Sequence, residues 1–157
     1  MLLCGADPRR EISPEEVDIL AADNRQADFL RLNPAGQTPA LELDDGTIIG
    51  ETVAICEYLE EKHPSRPLIG TTAEERAITR MWWRRAELQI CNPMVHGFYY
   101  AEGLELFKTR IRCLPEAAEG MKERARDGMR WINGLVTGHW LAGDRFTVAD
   151  ICLYCYI

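Results

Sequence analysis

Asn33-Pro34-Ala35-Gly36-Gln37-Thr38-Pro39-Ala40-Leu41-Glu42-Leu43, running on through Asp44-Asp45-Gly46-Thr47-Ile48-Ile49-Gly50-Glu51-Thr52-Val53-Ala54-Ile55-Cys56-Glu57-Tyr58, is the stretch around which the chain is organised. Ala40 to Leu43 alternates small or apolar with polar residues, the pattern of a half-buried strand. Asp45-Gly46 supplies a hairpin turn, because glycine adopts positive φ at no steric cost. Thr47-Ile48-Ile49 is β-branched and forms the return strand. Thr52 is placed to cap a helix that carries Val53, Ile55, Tyr58 and Leu59 on its apolar side. The order is strand, tight turn, strand, helix.

Two places in this unit have the makings of a site. Thr38-Pro39 precedes the first strand, where a residue without a backbone N–H is tolerated. A cis bond there would expose the N–H and C=O of Thr38, and about 5–6% of X-Pro bonds are cis. Glu51-Thr52 stands where a strand enters a helix N-terminus. Free N–H groups at such a terminus attract a carboxylate, and the Glu51 side chain can accept from an ammonium group. One ligand that meets both places is a short peptide with an amino-acid head and an extended backbone. Read by residues alone, the same stretch is also a plain hairpin followed by a capped helix.

The stretch resembles the glutathione-binding half of the glutathione transferase family. The resemblance rests on Asn33-Pro34-x-Gly36-Gln37-x-Pro39-Ala40-Leu41, then Glu51-Thr52 opening a helix with Ile55 and Tyr58-Leu59. A second signature lies far along the chain, at Trp140-Leu141-Ala142-Gly143-Asp144-x-Phe146-Thr147-Val148-Ala149-Asp150, and the resemblance runs from Glu15 onward. It implies an α+β thioredoxin-like N-terminal domain over residues 1–68, followed by an all-α C-terminal helical domain over 72–157. The resemblance implies transfer of the glutathione thiolate to a small electrophile, a detoxifying conjugation with glutathione as co-substrate. It also implies that the Thr38 backbone meets the cysteinyl part of glutathione, that Glu51 and Thr52 hold the γ-glutamyl head, and that Gln37 lies near the glycyl end. Pro39 then shapes the turn, and Asn24 or Arg25 is within the region that reaches the glycine carboxylate. Met94 and Tyr99 are the weaker candidates for the electrophile pocket, with Trp82, Trp83, His96 and Tyr100 near them in sequence. The family also implies a homodimer. The alternative is a non-catalytic binding or assembly module of the same fold.

Composition narrows the remaining classes. The chain has 157 residues, 46% of them hydrophobic, with 18 basic and 25 acidic residues and a net charge of −7. Residues 1–70 hold 6 basic against 14 acidic side chains, and residues 71–157 hold 12 against 11, so the balance shifts near residue 70. No basic face points to nucleic acid. No apolar run approaches membrane-spanning length. Three scattered histidines do not suggest a metal site. The six cysteines show no CxxC pair, and scattered cysteines without a signal peptide read as reduced and cytoplasmic. Cys152 and Cys155 stand three apart on an expected helix.

The rest of the chain follows in order. Met1 to Gly5 is a strand scrap or a helix end, and Pro8-Arg9-Arg10 is loop. Glu16 to Leu20 alternates as a strand would, and a short helix lies around Ala27 to Arg31. In the resembling family this strand is the second of four, and the turn after the first carries the Ser, Tyr or Cys that activates the thiol. About 15 residues are too few for the first strand and helix, so the catalytic group is expected outside the chain, with Cys4 a poor substitute. Thr52 opens a helix that stops at His63-Pro64, and Ser65 to Gly70 reads as a linker. Thr71-x-x-Glu74 and Thr72-x-x-Glu75 are both capping-box candidates. A long helix then runs through Ile78, Met81, Trp82, Ala86 and Ile90, with a kink expected at Pro93. Pro115 starts another helix, whose Gly120, Gly128 and Gly134 suggest close helix approach and which Gly138 could close. Thr147 and Asp150 form a capping box at a last helix, and Phe146 with Ile151 suits a hydrophobic staple. That helix ends on apolar residues, so the reading expects a chain truncated at both ends and little activity from these 157 residues alone.

Overall fold

The computed structural model describes residues 13–157; the readings placed on Cys4, Gly5 and Pro8-Arg9-Arg10 lie outside them. The chain divides into two compact units, Met1–Arg66 and Pro67–Ile157.

In the first unit, residues 16–20 do not form the expected strand. The Asp18 carboxylate accepts from the N–H groups of Leu20 and Ala21 at 2.8 and 2.9 Å, and the Asp23 N–H bonds to the Asp18 carbonyl at 3.0 Å. A short acidic side chain thereby takes the donors that a ladder would use, and the chain turns. Leu20, on which the alternation depended, is 74% exposed. A 3-10 turn at Asp23–Arg25 leads into helix α1, Ala27–Leu32, which ends at Asn33 before Pro34.

Strands β1 (Ala40–Glu42) and β2 (Ile48–Gly50) pair antiparallel, with Ala40 opposite Gly50, Leu41 opposite Ile49 and Glu42 opposite Ile48. They are the one sheet among the described residues. The turn between them closes through Gly46 N–H to Leu43 O and Leu43 N–H to Thr47 O, both at 2.9 Å, and Gly46 takes φ +81° as a left-handed turn residue requires. Helix α2, Thr52–Lys62, buries Ile55 and Leu59 and ends at His63.

The second unit is helical. Pro67 to Gly70 belongs to it and is no free linker: Ile69 is 3% exposed, and the Leu68 carbonyl accepts the Val148 N–H at 3.1 Å. Helix α3, Ala73–Ala86, starts at Thr72, whose hydroxyl accepts the Glu75 N–H at 3.2 Å. Glu75 reaches past Thr72 to accept from the N–H and hydroxyl of Thr71, each at 2.8 Å, so the capping box is shared over two threonines. Trp82, Trp83 and Ala86 are buried, whereas Ile78 and Met81 face solvent.

The helix does not run on as a regular α-helix to Pro93. It widens just before it, as a π turn at Glu87–Cys91 in which the Asn92 N–H bonds to the Glu87 carbonyl; helix α4, Asn92–Tyr100, continues from there with Pro93 in its first turn. Proline removes one donor and its ring crowds the carbonyl four residues back, which here is Gln89. That carbonyl lies against Gly128 of helix α6, Ala118–Asn133, where a Cβ would stand 2.2 Å from the oxygen. Close approach therefore explains Gly128 but not its neighbours. A Cβ on Gly120 would meet nothing within 4 Å, and Gly134, rather than Gly138, closes the helix. Between α4 and α6 lie a short helix α5, Leu104–Phe107, and a 3-10 turn at Pro115–Ala117.

Helix α7, Val148–Tyr154, begins with the expected box. The Thr147 hydroxyl accepts the Ala149 N–H at 3.3 Å, and Asp150 accepts from the Thr147 N–H at 2.8 Å. The other Asp150 oxygen accepts the Leu141 N–H at 2.8 Å, so this cap also anchors the preceding loop. Arg145 fastens that loop to α3, donating to the Thr79 hydroxyl at 2.8 Å and the Glu75 carbonyl at 3.2 Å.

Candidate functional site

The loop from Asn33 to Pro39 is shaped by two buried asparagines, Asn24 and Asn33. Asn24 donates to the Gly36 carbonyl at 2.7 Å, and Asn33 donates to the Gln37 carbonyl at 2.8 Å. Gly36 sits at φ +60°, and a Cβ there would lie 2.8 Å from an Arg25 guanidinium nitrogen and 3.1 Å from Leu30. Only glycine fits this corner. The corner delivers Gln37 and Thr38 to the surface, both exposed, and the Thr38–Pro39 bond is cis. Among the described residues the Thr38 N–H and C=O have no hydrogen-bond partner.

Across the hairpin the backbone is equally particular. Glu51 occupies the N-cap position of α2 at φ +66°, ψ 121°, a conformation that side-chain-bearing residues seldom take. Thr52 is thus the first helical residue and not the cap, and no side chain accepts from the opening turn. Among the described residues the N–H groups of Thr52, Val53 and Ala54 have no acceptor, and the exposed Glu51 carboxylate makes no hydrogen bond. The register links the two places. The ladder ends with Ala40 opposite Gly50, so the residues just before Ala40 and those just after Gly50 leave the hairpin at the same end. Gln37, Thr38, Pro39, Glu51 and Thr52 therefore share one end of the hairpin, where an unpaired strand edge meets a helix N-terminus and a carboxylate.

Such an edge can pair with an extended backbone. The helix N-terminus suits a carboxylate, and Glu51 suits an ammonium group. Arg25, against Gly36, adds a cation close to Gln37. The Arg25 Nε and the Asn24 Oδ1 are buried and without a partner among the described residues.

Met94 and Tyr99 lie on α4 in the helical unit, both half-buried. The Tyr99 ring packs on Phe107 at 4.0 Å between centroids and meets His96 edge-on at 6.4 Å. His63 ends α2 and His139 lies in an exposed loop. Among the described residues no group of three His, Cys, Asp or Glu side chains is placed to hold a metal ion.

The family description "Glutathione S-transferase, N-terminal domain" matches residues 10–62, which contain all five hairpin-end positions. A crystal structure of a glutathione S-transferase domain-containing protein from Marinobacter aquaeolei VT8 is 38% identical with a TM-score of 0.81, over 88% of this chain and 68% of its own. The chain belongs to the glutathione S-transferase family. Its fold is the family's thioredoxin-like α+β domain followed by an all-helical one. Glutathione S-transferase 2 of Saccharomyces cerevisiae is 32% identical over 141 residues, covering 86% of this chain and 58% of that protein. Elongation factor 1-gamma of Homo sapiens is 32% identical over 133 residues, 84% of this chain and 28% of that protein. The chain spans less than six tenths of the length of the curated transferases it matches. No helix among the described residues is long and apolar enough to cross a membrane.

Proposed function

We propose that the hairpin end binds glutathione and that the protein serves its conjugation to small electrophiles. The observation that carries this reading is the unpaired Thr38 backbone at the end of the hairpin where Gly50 runs into Glu51 and the open N-terminus of α2. Glutathione is an extended tripeptide whose γ-glutamyl head presents a carboxylate and an ammonium group together. The free N–H groups at the start of α2 accommodate the carboxylate, and Glu51 takes the ammonium. The Thr38 N–H and C=O pair with the cysteinyl backbone, and Gln37, with Arg25 behind it, lies toward the glycyl end. The reacting species is the thiolate, whose sulfur attacks the electrophilic carbon and expels the leaving group. Met94 and Tyr99 are the proposed lining of the electrophile pocket. Family membership and the match to a yeast transferase support this reading.

Calorimetry tests it. Glutathione should bind, and cysteinylglycine, which lacks the γ-glutamyl head, should bind far more weakly. Equal affinity for the two would remove Glu51 and Thr52 from the site.

A second reading, a binding or assembly module without conjugating activity, is favoured by the match to elongation factor 1-gamma. Turnover of an aryl halide with glutathione, measured against a no-protein control, separates the two. In either reading we propose a homodimer in the cytoplasm. The exposed apolar side chains Ile78, Met81 and Leu88, at 45, 40 and 42% exposure along one side of α3 and its π turn, support self-association. Light scattering should give twice the chain mass; a monomer at micromolar concentration overturns the dimer.

A further inference from the structure

The two places of the hairpin end are joined by a side chain that belongs to neither. Asn33 is 8% exposed and its backbone is held on both sides. Its N–H bonds to the Phe29 carbonyl in α1 at 2.8 Å, and its carbonyl accepts the Gly36 N–H at 2.9 Å. The side-chain Oδ1 accepts the Ala35 N–H at 3.3 Å, which orients the amide, and Nδ2 donates to the Gln37 carbonyl at 2.8 Å. The same amide lies over the bare face of Gly50, where a Cβ would stand 3.7 Å from Nδ2 and 3.8 Å from Oδ1. Gln37 is the residue before Thr38, and Gly50 is the residue before Glu51. One buried amide is thus bonded to the chain just ahead of the first place and lies beside the chain just ahead of the second.

We propose that Asn33 is a positioning residue that sets the Thr38 backbone at a fixed separation from Glu51 and the start of α2, so that, on the reading of this end as a glutathione site, one extended tripeptide meets both at once. The peptide between Gln37 and Thr38 is trans and planar, so its C=O and N–H point to opposite sides. By holding that carbonyl, Nδ2 aims the Thr38 N–H away from Asn33. A carbonyl that accepts a bond also polarises the N–H of its own peptide and makes it a better donor.

Asn33 reaches no ligand atom in this scheme. Its contribution is preorganisation, which lowers the cost of ordering the site when the ligand binds. A ligand with two points of attachment gains from the second only where both are in place together. Loss of the aim at Thr38 weakens every ligand that pairs with that backbone. Loss of the link to the Glu51 end weakens, in addition, the ligand that uses both places. Glutathione is such a ligand; cysteinylglycine, without the γ-glutamyl head, uses the Thr38 side alone.

Calorimetry with the full chain and two variants tests this. Asn33→Ala removes the amide. Asn33→Asp keeps its size and an acceptor for the Ala35 N–H, but as a carboxylate it has nothing to donate to Gln37. In each, the preference for glutathione over cysteinylglycine should fall by about three- to tenfold, the equivalent of one ordinary hydrogen bond. Circular dichroism verifies that the variants are folded. A variant with a lower Tm and the parent's preference overturns the proposal, because a side chain kept for folding alone changes stability and leaves the ratio of the two ligands where it was. The site itself is judged on the parent chain. No preference there removes the glutathione reading and the role of Asn33 with it; a preference in the parent that survives in both variants removes the role of Asn33 alone. One further measurement needs no variant. Hydrogen exchange of the Asn33 side-chain amide, followed by nuclear magnetic resonance on the parent, should be slower at saturating glutathione than at saturating cysteinylglycine, and equal rates with the two ligands overturn the proposal.

Discussion

Glu51 holds a backbone conformation that its own side chain resists. At φ +66° the Cβ crowds the chain, and such residues cost about 1–3 kcal/mol. Glycine would remove that cost while adding about 0.4–1 kcal/mol of unfolded-chain entropy to be lost on folding. Glu51→Gly should therefore melt higher than the parent, or at worst level with it. It should also lose glutathione affinity, because the carboxylate proposed to take the ammonium is gone. The two readouts move in opposite directions. A lower melting temperature with unchanged affinity would show that the position is held for folding alone. Nothing in the run Gly50-Glu51-Thr52 announces this conformation, since glutamate is not a turn residue; the sequence points to Thr52 as the cap, and the structure places the cap one residue earlier.

At the scale of elements, α6 carries a matched pair of glycines with opposite expectations. A Cβ on Gly128 would stand 2.2 Å from the Gln89 carbonyl oxygen and 2.7 Å from its carbon, backbone atoms that cannot swing aside. Gly128→Ala should destabilise by about 1–3 kcal/mol, the usual penalty of overpacking. Gly120 has open space around its missing Cβ, and Gly120→Ala should stabilise the same helix by about 0.5–1 kcal/mol. Urea unfolding of the two variants measures both. Equal effects would mean that α6 and the π turn do not touch as described. Elements differ in how far local sequence specifies them. The box of Thr147 and Asp150 is legible because cap and acceptor lie three residues apart. The π turn is not, because it depends on a glycine 39 positions beyond Gln89 as well as on Pro93.

For the whole molecule, acid should loosen the fold in a definite window. Bonds from Thr47, chiefly its backbone N–H, hold Asp45 below its ordinary value of 3.8. Thr71 does the same for Glu75, and Lys122 for Glu102, both from 4.5. With folded values below unfolded ones, each contribution is complete above the unfolded value and is lost as the pH falls through the folded value. The melting temperature should hold at and above about pH 5.5 and decline through the carboxylate range below it. Glu75→Gln should melt lower than the parent at neutral pH and converge with it in acid; a gap that stays constant with pH would show that the Glu75 charge contributes nothing. The charge balance changes near residue 70, and the two compact units divide after Arg66. The hairpin itself is legible, because the alternation of Ala40 to Leu43, the Asp45-Gly46 turn and the β-branched return lie next to one another in sequence. The turn at 16–20 is not, because one carboxylate, Asp18, overrides an alternating pattern. The contact between Gln89 and Gly128 also reaches beyond the folded molecule. A π turn spans one residue more than an α turn, so it is an inserted residue that α6 accommodates by giving up a side chain. In a randomised library selected for folding, an insertion in the 87–91 segment and a bare backbone at position 128 should be inherited together. Members that lose the inserted residue should be those in which position 128 is free to grow.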